Sequence, residues 1–303
     1  MTNVAWVGVG AMGRPMVTCL AAGSYSVRAY DANASRCEGL AELGVEVASS
    51  SHAAALGAEV LVVMTATPEQ CESVLFGTSD GQEGPAERGA ASMLPAGATV
   101  IVMATVGPAA VEAWARRLGE SGVATVDAPV SGGTGRAARG ELLTMVGAAP
   151  ADLAKVRPLL EVLSARVACV GPAVGDGQRM KLVNQLLCGV HIAVAAEALG
   201  FAEALGLDAG AAFDIVRQGA AASFMLEDRG PRMVSGAFED VHSALDIFVK
   251  DMGLVSGAAG AASYLVPIAN AAERRYLAAQ RAGLGRLDDS AIIEVARGTA
   301  IGD

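Results

Sequence analysis

Val4-Ala-Trp-Val-Gly8-Val-Gly10-Ala-Met-Gly13 is the stretch that decides the fold. Val4–Val9 is a short apolar run with strand character, and helical spacing begins at Gly13 and continues to Ala22. A strand that passes through G-x-G-x-x-G into a helix opens a dinucleotide-binding unit. Each glycine has a physical task. Gly8 permits the tight turn, Gly10 lets backbone approach a pyrophosphate, and Gly13 allows close helix–strand packing. Ala11 and Met12 complete the turn, and the helix N-terminus faces the anion. An acid is expected at the end of the next strand, and Asp31 stands there after Val27–Tyr30. Its carboxylate accepts from ribose hydroxyls and repels a 2′-phosphate, which favours NAD; Arg36 nearby leaves NADP open.

The same alternation continues. Ala34–Leu43 has helical spacing and stops at Gly44. Val60–Met64, Thr99–Met103, Val123–Asp127, Leu142–Val146 and Arg166–Val170 are short apolar runs bounded by turn residues. Strands separated by crossover helices imply a parallel sheet, so the fold class is α/β, a Rossmann-type doubly wound sheet. Phe76–Leu94 is turn-rich and reads as a surface excursion. After Pro172 the pattern changes to helical spacing throughout. Gln178–Leu205 fits one helix about 42 Å long. Asp208–Gly219, His242–Ala262, Pro267–Ala282 and Ser290–Ala296 fit further helices. The expectation is a dinucleotide-binding domain over 1–170 and an all-helical substrate and oligomerisation domain over 171–303.

Composition narrows the function classes. A net charge of −10 disfavours nucleic acid and anionic membranes as partners. The five cysteines make no C-x-x-C pair and the histidines are scattered, so neither a disulfide framework nor a metal site is expected. Leu182–Leu207 is apolar, but Asn184, Gln185, His191, Glu197 and Glu203 interrupt it, so it reads as a buried helix and not a span. A strand-like start without a basic leader points to a cytoplasmic protein.

Three segments carry chemistry. Asp127-Ala-Pro-Val-Ser131-Gly132-Gly133 is a strand end running into a glycine turn, which with the Ser131 hydroxyl can hold a carboxylate. Gly175-Asp-Gly177-Gln-Arg-Met-Lys181-Leu-Val-Asn184-Gln185 opens the long helix, with Lys181 and Gln185 one turn apart on one face. A Lys in so apolar a helix either snorkels to water or is placed for chemistry. Phe248-Val-Lys250-Asp251 puts a charged pair into an apolar helix, where a solvated turn is the plain alternative.

Together with the GVGAMGRPM start, Ala104-Thr105 ahead of Pro108, and the VKDMGL segment, these stretches resemble the 3-hydroxyacid dehydrogenase family, relatives of 6-phosphogluconate dehydrogenase. The resemblance covers nearly the whole chain. It implies an NAD-dependent oxidoreductase with Lys181 as acid–base residue, and Ser131, Gly132 and Gly133 on the substrate carboxylate. Thr105 and Lys250 would hold the nicotinamide end, with Met64 and Thr65 near the dinucleotide. It also implies a homodimer or homotetramer built through the second domain. Relatives often carry Asn where Gln185 stands, and glyoxylate-reducing ones Phe at Ser243. Within the family the chain is most similar to members acting on threonate. The expected substrate is therefore a small hydroxyacid, polyhydroxylated like threonate, with Asn184 and Gln185 as further contacts. 3-Hydroxyisobutyrate or tartronate semialdehyde is the alternative; an imine reductase or a non-catalytic NAD-binding regulator fits Lys181 less well. A Lys serves both directions of hydride transfer if burial lowers its pKa toward neutrality. Asp246 and Asp251 are candidates to orient Lys250 or Lys181, and Ser223, Phe224 and Met225 to line the pocket.

Overall fold

The computed structural model describes residues 1–78 and 87–298. The chain divides into two compact units, Met1–Lys181 and Leu182 onward. In the first, β1 (Thr2–Val7), β2 (Tyr25–Tyr30), β3 (Glu46–Val47) and β4 (Val60–Val63) precede a small hairpin, β5 (Gly77–Thr78) with β6 (Glu87–Arg88). β7 (Thr99–Val102), β8 (Ala124–Asp127), β9 (Val130–Ser131), β10 (Leu142–Gly147) and β11 (Ser164–Gly171) follow. Among the described residues all but the hairpin join one sheet, in the order β11-β10-β8-β7-β4-β1-β2-β3, with β9 on β10. Pairing is parallel except where β10 meets β8 and β9. α1 (Gly13–Ala21), α2 (Ser51–Ala55), α3 (Pro68–Phe76), α4 (Pro108–Gly119), α5 (Gly133–Ala138) and α6 (Pro150–Leu163) are its helices.

The central strands are apolar on both faces because both are covered. Val60 and Val62 enter one core and Leu61 and Val63 the other, the two-residue period of a doubly covered sheet. Trp6 lies in the first core with Met16 and Leu20 of α1. A Cβ on Gly13 would stand 1.9 Å from the Gly8 carbonyl oxygen, so only glycine lets α1 approach the turn this closely.

α7 (Asp176–Ala204) runs through the division between the units. The second unit continues with α8 (Ala209–Val216), α9 (Phe224–Ser235), α10 (Leu245–Ala261), α11 (Pro267–Arg281) and α12 (Ile293–Ala296). Its core joins Leu182, Ile192 and Leu199 of α7 to Phe248 and Met252 of α10 and Tyr276 of α11. Phe248 stacks on Tyr276 at 5.5 Å between ring centroids, and the Tyr276 hydroxyl donates to the Gly189 carbonyl at 2.9 Å. α7 also carries Val183, Leu187, Val194 and Phe201, all exposed and spaced along one stripe. By length and composition alone this helix could cross a membrane, but its other face belongs to the core.

Several elements differ from the sequence expectations. Ala34–Leu43 is not an α-helix but two 3₁₀ turns, Ala34–Cys37 and Ala41–Leu43, because Gly39 takes φ +76° between them. Residues 79–86 of the expected surface excursion lie outside the described residues. The rest is not all surface: Ala90 and Leu94 are buried in the second core of the sheet. α9 was not anticipated, since Pro231 within it broke the helical pattern. Its signals were its ends: Ser223 accepts from the Leu226 N–H and Gly236 closes it at φ +71°.

Buried charges fasten α9 to the turn after α11. The fully buried Asp288 accepts from Arg232 Nε at 2.9 Å, from the Ser290 N–H and hydroxyl, and from the His242 and Ser243 N–H groups. Burial pushes its carboxyl up, but the bonds from Ser290 and Arg232 outweigh that and hold it below the usual value. Arg229 holds the equally buried Asp289 with two nitrogens, at 3.0 and 2.9 Å. Removing one partner of such a pair strands the other. Asp288→Ala is expected to lower the unfolding free energy by about 3–5 kcal/mol, read from urea denaturation. A loss below about 1 kcal/mol would show that Arg232 finds water instead.

Candidate active site

The parallel strands bring the expected cofactor residues to one edge of the sheet. Gly8 follows β1, Asp31 follows β2, Met64 and Thr65 follow β4, and Thr105 lies beyond β7. The chain steps outward from β1 through β2 to β3 and then resumes on the other side at β4, so β1/β4 is the topological switch point. Gly8 has φ +99°, and a Cβ there would lie 2.3 Å from the Met64 carbonyl oxygen. Met64 N–H donates to the Val7 carbonyl at 2.8 Å, and the Thr65 hydroxyl lies 2.9 Å from Cys71 Sγ.

Asp31 is buried, not a surface acid. Its Oδ2 accepts from the Val9 N–H at 2.8 Å and its Oδ1 from the Asn33 N–H at 2.9 Å, so it ties the end of β2 to the glycine turn. Arg36 lies 3.6 Å from Oδ1. α1 begins with no side-chain cap and no acid in its first turn. A Cβ on Gly10 would meet only the far end of Arg36, at 3.8 Å. A helix start without a side-chain cap beside open backbone, with Ala11 and Met12 between them, fits an anionic pyrophosphate.

The strand end and glycine turn expected at Ser131–Gly133 are formed. Ser131 ends β9, and Gly132 and Gly133 adopt φ +142° and +75°, which a side chain would strain. A Cβ on Gly133 would meet nothing within 4 Å.

Sequence reasoning missed the group that ties this region together. Gln178, in the first turn of α7, is fully buried. Its Oε1 accepts from the Val106 and Gly107 N–H groups at 2.9 and 3.0 Å, and its Nε2 donates to the Ala104 carbonyl and to Asp127 Oδ1 at 3.0 and 2.9 Å. Asp127 Oδ2 accepts from the Gly175 and Gln178 N–H groups at 3.0 and 2.8 Å. Two side chains thus join the end of β8, the loop carrying Thr105 and the start of α7. Lys181, almost wholly buried, stands less than one turn further along α7. The available signal was a polar residue in an otherwise apolar helix start, next to a strand-end Asp.

Burial pushes the Asp127 carboxyl up to about 6, against the lowering effect of its hydrogen bonds with Gln178, Gly175 and Gly177. A folded value above the unfolded one means that the folded state binds more protons between the two, so stability falls as pH rises through that window. Relative to Asp127→Asn, the native chain is expected to lose about 3 kcal/mol of stability between about pH 4 and pH 6 and then level off. Urea denaturation of both proteins across pH 4–8 checks this; a constant difference would contradict it.

In the second unit, Gln185 is buried and its Nε2 donates to Asp251 Oδ2, a carboxylate 2% exposed. Lys250 Nζ lies 2.9 Å from Asp251 Oδ1, an ion pair whose alignment falls short of a hydrogen bond. Asn184 Nδ2 donates to Gln185 Oε1 at 2.9 Å and approaches Cys188 Sγ at 3.3 Å. Lys250–Asp251 is therefore not a solvated turn. Asp246 is engaged elsewhere, accepting from Gln280 at 2.7 Å, and Ser223 caps α9.

Residues 3–171 match the model of the NAD-binding domain of 6-phosphogluconate dehydrogenase. Residues 175–296 match that of the NAD-binding domain of NADP-dependent 3-hydroxyisobutyrate dehydrogenase. The chain is 36% identical to an L-threonate dehydrogenase of Cupriavidus necator, over 97% of its own length and 95% of that protein's. It is 34% identical to an L-threonate dehydrogenase of Escherichia coli K12, over 99% and 96%. Among solved structures it is similar to a 3-hydroxyisobutyrate dehydrogenase from Salmonella typhimurium, with TM-score 0.89, 34% identity and coverage of 97% and 100%. Its glycine turn, its buried strand-end acid and its two matched domains are those of NAD(P)-binding oxidoreductases, and the chain belongs to the 3-hydroxyacid dehydrogenase family.

Proposed function

We propose that this enzyme oxidises a small polyhydroxylated acid such as threonate, with NAD preferred over NADP and Lys181 as its acid–base residue. The observation that carries the reading is the buried Lys181 on α7, a helix fixed at its start by Gln178 and Asp127 beside the Thr105 loop. Two L-threonate dehydrogenases at 34–36% identity support the substrate class.

Gly8, Gly10, Ala11, Met12 and Gly13 would hold the pyrophosphate, Asp31 the adenosine ribose, and Met64, Thr65, Thr105 and Lys250 the remainder of the dinucleotide. NAD, when bound, supplies the hydride acceptor at its nicotinamide ring. Ser131, Gly132 and Gly133 anchor the substrate carboxylate through hydroxyl and backbone donors. Lys181 in its neutral form takes the hydroxyl proton onto Nζ during oxidation and returns it to the carbonyl oxygen during reduction. Asn184 and Gln185 meet further substrate hydroxyls, and a site built to pair hydroxyls disfavours an acid that lacks them. Asp31 repels a 2′-phosphate, while Arg36 beside it moderates that preference.

The same reading assigns the division near residue 170 to the change from cofactor to substrate domain, and places the enzyme in the cytoplasm. The exposed stripe of Val183, Leu187, Val194 and Phe201 supports a homodimer or homotetramer through the helical unit.

Lys181→Ala is expected to lower kcat by at least about a hundredfold while NAD affinity changes little. Near-normal turnover would remove Lys181 from the mechanism. In NADH-formation assays, kcat/KM for L-threonate with NAD should exceed the values for 3-hydroxyisobutyrate with NAD and for L-threonate with NADP. A preference for 3-hydroxyisobutyrate would contradict the substrate assignment.

A further inference from the structure

Trp6 stands near the end of β1, fully buried, in the core layer that also holds Met16 and Leu20 of α1. A purely apolar side chain would fill that layer as well. What the indole adds is one donor, and it is spent on the backbone of the glycine turn: Nε1–H donates to the Gly8 carbonyl at 2.9 Å. We infer that Trp6 is a positioning residue for the dinucleotide, holding the Gly8 carbonyl inside the packing of β1 on α1 so that this oxygen does not face the pyrophosphate. The inference rests on the proposed role of Gly8, Gly10 and Gly13 in holding the pyrophosphate, and adds to it a residue outside the glycine motif.

The peptide between Gly8 and Val9 is held at both ends. Its oxygen accepts from Trp6, and its N–H, that of Val9, donates to Asp31 Oδ2 at 2.8 Å. Just before it, the Gly8 N–H donates to the Tyr30 carbonyl at 2.9 Å. The place of the oxygen follows from its neighbours. A Cβ built on Gly13 would stand 1.9 Å from it and 3.3 Å from Trp6 Nε1, so it lies where the first residue of α1 packs against β1. Gly8, at φ +99°, does not choose this direction by itself, because a glycine visits many backbone conformations at little cost.

The direction matters because of charge. Backbone N–H groups attract a pyrophosphate, and a carbonyl oxygen repels it. Turned over, the Gly8–Val9 peptide would carry its oxygen out of the packing and lose both the Trp6 and the Asp31 bonds. Trp6 and Asp31 therefore resist one rearrangement from opposite ends. A turn that samples both directions binds the cofactor only with its correctly turned fraction, and the apparent affinity falls by that fraction. Trp6 acts through Gly8 and not on the ribose, so NAD and NADP should lose affinity alike.

The test uses two replacements. Trp6→Phe keeps an aromatic ring and removes the donor. Benzothienylalanine in place of Trp6 keeps the two-ring outline and puts sulfur where the N–H stood. NAD and NADP binding is measured by calorimetry well below the melting temperature of each protein, and kcat and KM for L-threonate are measured at saturating NAD. Both replacements should weaken NAD and NADP by a similar factor of about fivefold or more, and leave kcat and the L-threonate KM within about twofold. A benzothienylalanine protein with native affinity for both cofactors overturns the inference, because its outline is kept and only the donor is gone. A loss confined to one cofactor also overturns it, since that would locate the effect at the ribose. In the native enzyme the indole N–H signal of Trp6, assigned by its absence from Trp6→Phe, should exchange slowly with and without NAD; rapid exchange contradicts the bond to Gly8. If the native enzyme binds neither cofactor, the pyrophosphate assignment fails, and the indole signal still decides whether Trp6 holds Gly8.

Discussion

The hydrogen bonds between Asp127 and Gln178 are the constraint on which the candidate site depends. A buried carboxylate is costly unless its oxygens are matched, and here it accepts two backbone N–H groups and one amide. Gln178 in turn uses its carbonyl oxygen on the Val106 and Gly107 N–H groups and its amide nitrogen on Ala104. The orientation of Gln178 is therefore forced, since only the nitrogen end can face Asp127. Three segments distant in sequence are joined by these two side chains. Thr105 lies within one of those segments, and Lys181 follows on the helix that another begins. A helix start held at this level sets the azimuth of every side chain along its first turns.

Much of the nucleotide half was legible in the sequence. Gly8, Gly10 and Gly13 could be assigned separate tasks because each answers a different steric demand, and the contacts at Gly8 and Gly13 bear that out. β4 and β7 were visible as short unbroken runs of mostly β-branched residues, which is how a strand covered on both faces reads. The errors came where one residue overrode a pattern. Gly39 broke an apparent helix into two short turns, and Pro231 concealed a real one. The reversal of β10 relative to β8 has no periodicity signature, because direction in a sheet is set by the path of the connection rather than by alternation.

The polar side chains were harder to read than the glycines. Lys181 stood out as a charge in an apolar helix, and Asn184 and Gln185 as amides near it. Their partners were hidden because Asp251 is far away in sequence and lies in a segment that resembles an ordinary charged turn. Gln178 was present in the quoted helix start but carried no charge to attract notice. Buried amides act through the direction of their bonds, and direction becomes visible only once the partner is known.

The measurement that bears most directly on this account is NAD affinity and turnover in Gln178→Met, a variant that keeps the length of the side chain and removes its donors and acceptor. Calorimetric binding and steady-state kinetics would be recorded well below its melting temperature. The account predicts a folded protein in which NAD binds at least about tenfold more weakly and kcat falls with it, because the Thr105 loop and the start of α7 have lost their common partner. A folded Gln178→Met enzyme with native NAD affinity and native kcat would contradict it.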